Sequence, residues 1–380
     1  MRFLKFLILS FFLPVLSLTQ AFAEDTLKVG AILSVTGPAS NLGAPEARTL
    51  SMLVEDINAR GGIIGKKVEL VVKDSGGSPE KAVSFAKQLI EEEKVFAMIG
   101  PSTSGETMAI KNIAEEGKTI LLSCAAAEVI VSPVAKYVFK VAPKDGFAAV
   151  RIFDEMKKLG ISKIGMLSSN TGFGKAGKEQ LEKLAPEHGI QIAISEVYDK
   201  SATALTAEVT KLKAKGVQAI VNWSIEPAQS IVIKNARQTG MTIPIFQSHG
   251  FANIQYARTA GSAAEGVIFP ASRIVVSDAL PEKNPQKPVI MAYKKAYEAK
   301  YHEDVSTFGG HAYDAMMILA RAIREAGADR EKVRSAVENM KNFIGTAGVF
   351  NFSPTDHNGL DINAFAMLTV KDGRFVLLER

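Results

Sequence analysis

The sequence predicts an α/β protein made of two doubly wound parallel-sheet lobes. Three observations carry this. Short apolar runs alternate with amphipathic segments, and the alternation restarts near residue 145. The runs are almost continuous in apolar residues, as parallel strands buried on both faces must be. With 380 residues, the chain exceeds the size at which one hydrophobic core keeps growing.

The first series opens with a strand at 27–33. A helix follows at 44–60, with Leu50, Leu53, Val54 and Ile57 at helical spacing, and Gly61-Gly62 ends it. A strand at 67–73 leads to a helix from Pro79 to about Glu92, proline being suited to a first helical turn. A strand at 95–99, a helix at 107–116 and a strand at 119–123 complete this series. The second series reads helix 145–159, strand 163–167, helix 174–187, strand 191–197, helix 205–215, strand 219–223 and helix 228–239. Strands at 243–246 and 267–269 close it. Three helices come next, at 288–301, 312–326 and 330–339. The last expected element is a hairpin of strands 364–370 and 374–378 around Asp372-Gly373. Ligands on such sheets bind beyond the carboxyl ends of the strands, so two facing lobes imply a site in the cleft between them.

The first residues point to export. Arg2 and Lys5 precede an apolar stretch from Phe6 to Leu18, and Ala21-Phe22-Ala23 is an A-x-A exit followed by Glu24-Asp25. This is the pattern of a signal peptide, residues 1–23, cleaved after Ala23. The stretch is short of the ~20 residues a membrane span takes. A periplasmic protein, with no membrane insertion after cleavage, is expected. A formal charge of +5 with scattered lysines gives no basic tract for nucleic acid. The single cysteine, Cys124, ends an apolar run and reads as a buried structural thiol.

Several chemistries find no support. The loop Thr36–Gly43 is neither a dinucleotide nor a Walker loop. The five histidines show no metal-ligand spacing, and no G-x-S-x-G elbow is present. Asp74 stands alone after a strand and suits a turn cap better than a catalytic base. No enzyme, cofactor or metal is therefore expected. Two polar loops remain. Gly100–Thr107 places Thr103 and Ser104 at a helix start, where unpaired N–H groups and the helix dipole favour an anion. N-capping by either residue is the simpler use of the same hydroxyls. The small-residue turn Cys124–Ala127 follows the next strand and would face it.

These stretches resemble a known family. Asp56–Gly65, Ile99–Thr107 and Ala263–Val267 are similar to the type I periplasmic solute-binding proteins of the leucine/isoleucine/valine-binding class, in order along the whole mature chain. The resemblance implies two lobes joined by three hinge crossings, near 143–146, 270–281 and 360–365. It divides the chain into an N-terminal lobe, 24–144 plus 271–362, and a C-terminal lobe, 145–270 plus 363–380. The lobes would close on the ligand by hinge bending. It also implies a monomer that delivers a small-molecule ligand to an inner-membrane ABC permease and its ATPase.

Carried over by position, Ser104 falls where a serine binds the ligand's carboxylate, and Ala125 where a backbone group contacts it. Phe173 and Phe308 fall at aromatic positions lining the cleft, and Leu42 at a third. Four departures matter. A usual threonine is Ala127, an aromatic residue is Ile225, and a disulfide pair is replaced by Gly77 and Thr103. The acidic residue that neutralises an amino acid's ammonium aligns with His249. The expected ligand is therefore a carboxylate without an α-ammonium, best an aromatic acid of the benzoate or cinnamate type. Ser104 and the backbone of Ala125 and Ala127 would hold its carboxylate, and His249 a distal polar group. A branched-chain amino acid carrier using Glu128 or Glu226 is the alternative, and a ligand-sensing receptor module is the alternative of another class.

Overall fold

The computed structural model describes residues 26–378. The signal-peptide expectation lies outside the described residues. The first sheet has the order β2-β1-β3-β4-β5 and is parallel throughout. Its elements run β1 (Leu27–Leu33), α1 (Ser40–Ala59), β2 (Val68–Asp74), α2 (Pro79–Lys87), β3 (Ala97–Ile99), α3 (Ser104–Glu116), β4 (Ile120–Ser123) and β5 (Val138–Lys140). β3, β4 and β5 are buried at every position, whereas edge strand β2 is buried only at Val68. β5 is an element the sequence reading missed, because three residues are too few to show periodicity.

The chain then enters the second sheet through α4 (Asp145–Lys158), β6 (Lys163–Ser169), α5 (Gly172–Leu184), β7 (Gln191–Tyr198), α6 (Thr206–Ala214), β8 (Ala219–Trp223) and α7 (Ala228–Gln238). β9 (Ile245–Gln247), the short α8 (Ile254–Ala260) and β10 (Ile268–Ala271) follow. It returns with α9 (Lys287–Tyr301), α10 (Thr307–Ala326), α11 (Arg330–Glu338) and a small hairpin, β11 (Phe343–Ile344) and β12 (Val349–Phe350). α10 packs against α1, and its buried Ala312, Ala315, Met316 and Leu319 share a core with β1, β3 and β4. The final hairpin, β13 (Ala366–Lys371) and β14 (Arg374–Leu377), adds antiparallel strands to the second sheet, whose order is β14-β13-β10-β9-β8-β6-β7.

Three helices begin earlier than the apolar periodicity indicated. α1 starts at Ser40, α3 at Ser104 and α10 at Thr307. Polar and glycine-rich first turns carry no periodic signal; those of α1 and α3 follow the carboxyl ends of β1 and β3, and that of α10 follows α9. In α10, Gly309 is required by packing, since a methyl there would lie 2.4 Å from the Tyr293 hydroxyl.

The two strand orders reverse between β1 and β3 in one sheet and between β6 and β8 in the other. Adjacent loops part at these switch points and leave a crevice. The chain passes between the sheets after β5, after β10 and before β13. Asn358 fastens the third passage to the first, its amide donating to the carbonyls of Lys140 at 3.1 Å and Ala142 at 2.9 Å.

Trp223, at the end of β8, lies directly on Gly177 of α5. A methyl at Gly177 would stand 2.0 Å from the indole nitrogen. Gly177→Ala should therefore destabilise the protein by about 1–3 kcal/mol through overpacking, despite alanine's better helix propensity. Urea denaturation checks this, and an unchanged midpoint would mean that the indole moves freely.

Candidate functional site

The carboxyl end of β3 leads through Gly100-Pro101 into α3. Thr103 is the N-cap of this helix in a complete capping box. Its hydroxyl donates to Glu106 Oε2 at 2.7 Å and accepts from the Glu106 N–H at 3.4 Å. The simpler use of this hydroxyl, N-capping, is thus present, and its proton is committed to Glu106. Ser104, the first helical residue, is buried, and its Oγ accepts from the Ala127 N–H at 3.2 Å. Its proton is given to no acceptor among the described hydrogen bonds. The Ala125 N–H donates to Ser123 Oγ at 3.1 Å. Ser104 and Ala127 thus form the polar pair at this switch point, beside the helix N-terminus.

The apolar wall draws on both lobes. Leu42 in the first turn of α1, Phe308 in the first turn of α10 and Ala126 join Phe173, Ile225, Trp223 and Phe365 in one buried cluster. The structure therefore brings together Leu42, Phe173, Ile225 and Phe308, four of the positions singled out in the sequence. Phe173 and Ile225 also line a cavity of about 360 Å³ at the cleft mouth, with Thr103, Gly105 and Glu226.

His249 follows β9 in a single 3-10 turn and is buried among aromatic rings. Phe173 and Trp223 meet it edge-on at 5.3 and 5.6 Å, and Phe365 is tilted against it at 5.2 Å. Burial, reinforced by Lys140 and His311, holds its pKa well below the ordinary 6.5. It is therefore a neutral ring at neutral pH. Asp145 Oδ1 stands 3.5 Å from its Nε2. Among the described residues neither ring nitrogen of His249 has a hydrogen-bond partner, whereas the backbone of Glu128 acts on the Asp145 carboxylate and that of Cys124 on the His311 ring.

The sequence reading missed Lys140, Asp145 and His311. Lys140 left one signal, a lone cation inside the apolar run Val138–Ala142. Two other residues prove structural. Asp74 accepts from Thr36 N and Oγ1 and from Gly76 N, a turn cap. Cys124 is buried, which pushes its thiol pKa well up and leaves it inert. Among the described residues no cluster could hold a metal ion, and no helix is long and apolar enough to cross a membrane.

The lobes are closed on each other. Asn253 Nδ2 donates to the Asn41 carbonyl at 2.9 Å, and Arg258 pairs with Asp304 at 2.7 Å. Gly172 faces Gly105 so closely that a methyl on Gly172 would lie 2.7 Å from Gly105 Cα.

The sequence model of the family described as periplasmic binding protein matches residues 26–374. The leucine-, isoleucine-, valine-, threonine- and alanine-binding protein of Pseudomonas aeruginosa is 28% identical over 348 residues, covering 90% of this chain and 88% of its own. An extracellular ligand-binding receptor from Rhodopseudomonas palustris HaA2 superposes with a TM-score of 0.87 at 29% identity, covering 93% of this chain and 99% of that one. A solute-binding protein of an R. palustris ABC transporter, solved with benzoate, superposes with a TM-score of 0.82 at 22% identity, covering 93% and 95%.

Two outcomes follow. Gly172→Ala should leave the ligand-free melting temperature unchanged or raised, because the residue is helical. It should weaken ligand binding by about tenfold or more, because the closed state becomes less populated; calorimetric titration reads this, and unchanged affinity would contradict tight closure at this point. For His311, burial brings the pKa down to about 3. The unfolded chain accepts a proton near 6.5 that the folded chain refuses, so stability is lost as pH falls below about 6.5, by up to about 1.4 kcal/mol per unit. His311→Asn should flatten the dependence of the urea midpoint between pH 6 and pH 4, and an unaltered slope would contradict a neutral buried ring.

Proposed function

The chain belongs to the type I periplasmic binding proteins of the leucine/isoleucine/valine-binding class, and on that premise we propose that it is the substrate-binding component of an ABC importer for a small hydrophobic carboxylate without an α-ammonium, best an aromatic acid. In this reading the ligand's carboxylate replaces the mutual contact of Ser104 and Ala127. It takes the Ser104 hydroxyl proton and the Ala127 N–H, with the dipole of α3 behind it. Phe173, Phe308, Leu42 and Ile225 enclose an apolar body. His249 meets a polar group at the far end.

The observation that carries this reading is the neutral, ring-enclosed His249. By the resemblance it falls where the class has an acid, and as a neutral ring it offers no charge to an ammonium. An unpaired ammonium buried there would cost several kcal/mol. The same fold holds benzoate in the R. palustris solute-binding protein, and at 22% identity that likeness is one of fold.

A second reading keeps an amino acid as ligand, as the name of the Pseudomonas relative has it. It is favoured by Glu226, a buried carboxylate lining the mouth cavity. Against it, Glu226 already accepts from Ser224 Oγ at 2.6 Å and from the Ile225 N–H at 3.2 Å.

A thermal-shift panel on the protein lacking residues 1–23 separates the two. A ligand at a hundredfold excess over its Kd adds about 2.7 kcal/mol to stability. Benzoates or cinnamates should raise the melting temperature while leucine, isoleucine and valine leave it unmoved. A shift with the amino acids alone would overturn the aromatic-acid reading.

A further inference from the structure

Lys140, the last residue of β5, is fully buried; burial pulls its pKa down while the nearby Asp145 carboxylate supports its charge without a hydrogen bond to it. Its Nζ donates to the carbonyl oxygens of Ala126 at 2.7 Å, Ala142 at 2.8 Å and Pro143 at 3.2 Å. All three acceptors are neutral. A buried cation without an anion at hydrogen-bond distance is costly to the fold, so its retention in this place calls for an explanation.

The Ala126–Ala127 peptide supplies one. Its carbonyl receives Lys140, and its N–H faces Ser104 Oγ at 3.2 Å. The bond is trans, so the two groups point in opposite directions. A cation on the carbonyl polarises the whole group and makes the N–H a stronger donor. Lys140 thus backs the polar pair from behind, one peptide group away.

We propose that Lys140 is the counter-charge of the ligand's carboxylate, acting through the Ala126–Ala127 peptide, and that it makes this site select monoanions over zwitterionic amino acids. The proposal rests on the carboxylate placement given above. Selectivity follows from geometry: an α-ammonium is carried one carbon from the carboxylate and so cannot avoid the same cation. Lys140 is a positioning residue, since it touches the peptide and not the ligand.

Binding should also move a proton. Burial lowers the proton affinity of the Lys140 amine, and a bound anion restores it. Benzoate or cinnamate should therefore bind with proton uptake that grows as pH rises from 6 to 9. The other titratable groups around Lys140 are Asp145 on α4, Glu128 in the turn after the cradle, Lys144 and Asp356 at the crossings, His249 after β9 and His311 on α10.

The test is calorimetric titration of wild type, Lys140→Met and Lys140→Arg with benzoate, cinnamate, their primary amides and leucine, in two buffers of different ionisation heat. Wild type should bind the acids at least tenfold more tightly than the amides, with proton uptake. Lys140→Met should lose at least tenfold in acid affinity and lose the uptake, while Lys140→Arg recovers most of the affinity without the uptake, because a guanidinium is already protonated across this pH range. Should Lys140→Met fail to fold, the wild-type uptake and the acid-to-amide ratio decide alone. Acid binding without uptake at any pH, or amides as tight as acids, overturns the role of Lys140 and leaves the aromatic-acid reading standing. Leucine bound and both acids inert overturns that reading and this inference with it.

Discussion

Three carbonyl oxygens from two stretches of chain converge on the ammonium of Lys140. Ala126 comes from the turn after β4, and Ala142 and Pro143 come from the first passage between the lobes. The third passage is bound to the same place, since the Asn358 amide holds the carbonyls of Lys140 and Ala142. The loop that faces the cleft and two of the crossings between the sheets are therefore one hydrogen-bonded unit. A change in the Ala126–Ala127 peptide reaches the crossings through two side chains, Lys140 and Asn358. If the proposed carboxylate contact at this loop holds, binding and closure share these hydrogen bonds.

The position of the cleft follows from topology. Each sheet reverses its strand order once, and the loops at those two reversals carry Leu42 and Ser104 on one side and Phe173 and Ile225 on the other. Closure then sets Gly172 against Gly105, where neither residue has a side chain to hold the lobes apart. The glycine pair allows the backbone of α5 to approach that of α3. The polar N-terminus of α3 is thereby excluded from water when the lobes meet, which strengthens any electrostatic contact made there.

Much of the fold was legible in the sequence, for a physical reason. Parallel strands buried on both faces leave long apolar runs, and amphipathic helices leave a period. β8 was read with its observed bounds, and β1 likewise. What was not legible lacked those signals. β5 has three residues, and the first turns of α1, α3 and α10 are polar or glycine-rich. Those turns form the floor of the cleft, so the least legible segments are the ones nearest the ligand.

The site was legible only in part. Its apolar members, Leu42, Phe173, Ile225 and Phe308, were found by resemblance and come together in one cluster. Its polar members divided. The cap at Thr103 was not separable from a ligand role, because one hydroxyl at a helix start suits both on paper, and only the Glu106 contact shows the capping box. Lys140, Asp145 and His311 come from three separate elements and converge only through the tertiary fold. No spacing along the chain announces them.

A crystal structure of the protein with benzoate bound would test the central claim most directly, by locating the carboxylate. The account predicts its oxygens within hydrogen-bonding distance of Ser104 Oγ and the Ala127 N–H, with Lys140 on the far side of the Ala126–Ala127 peptide. A carboxylate turned to the His249 end, with the Ser104–Ala127 contact intact, would contradict it.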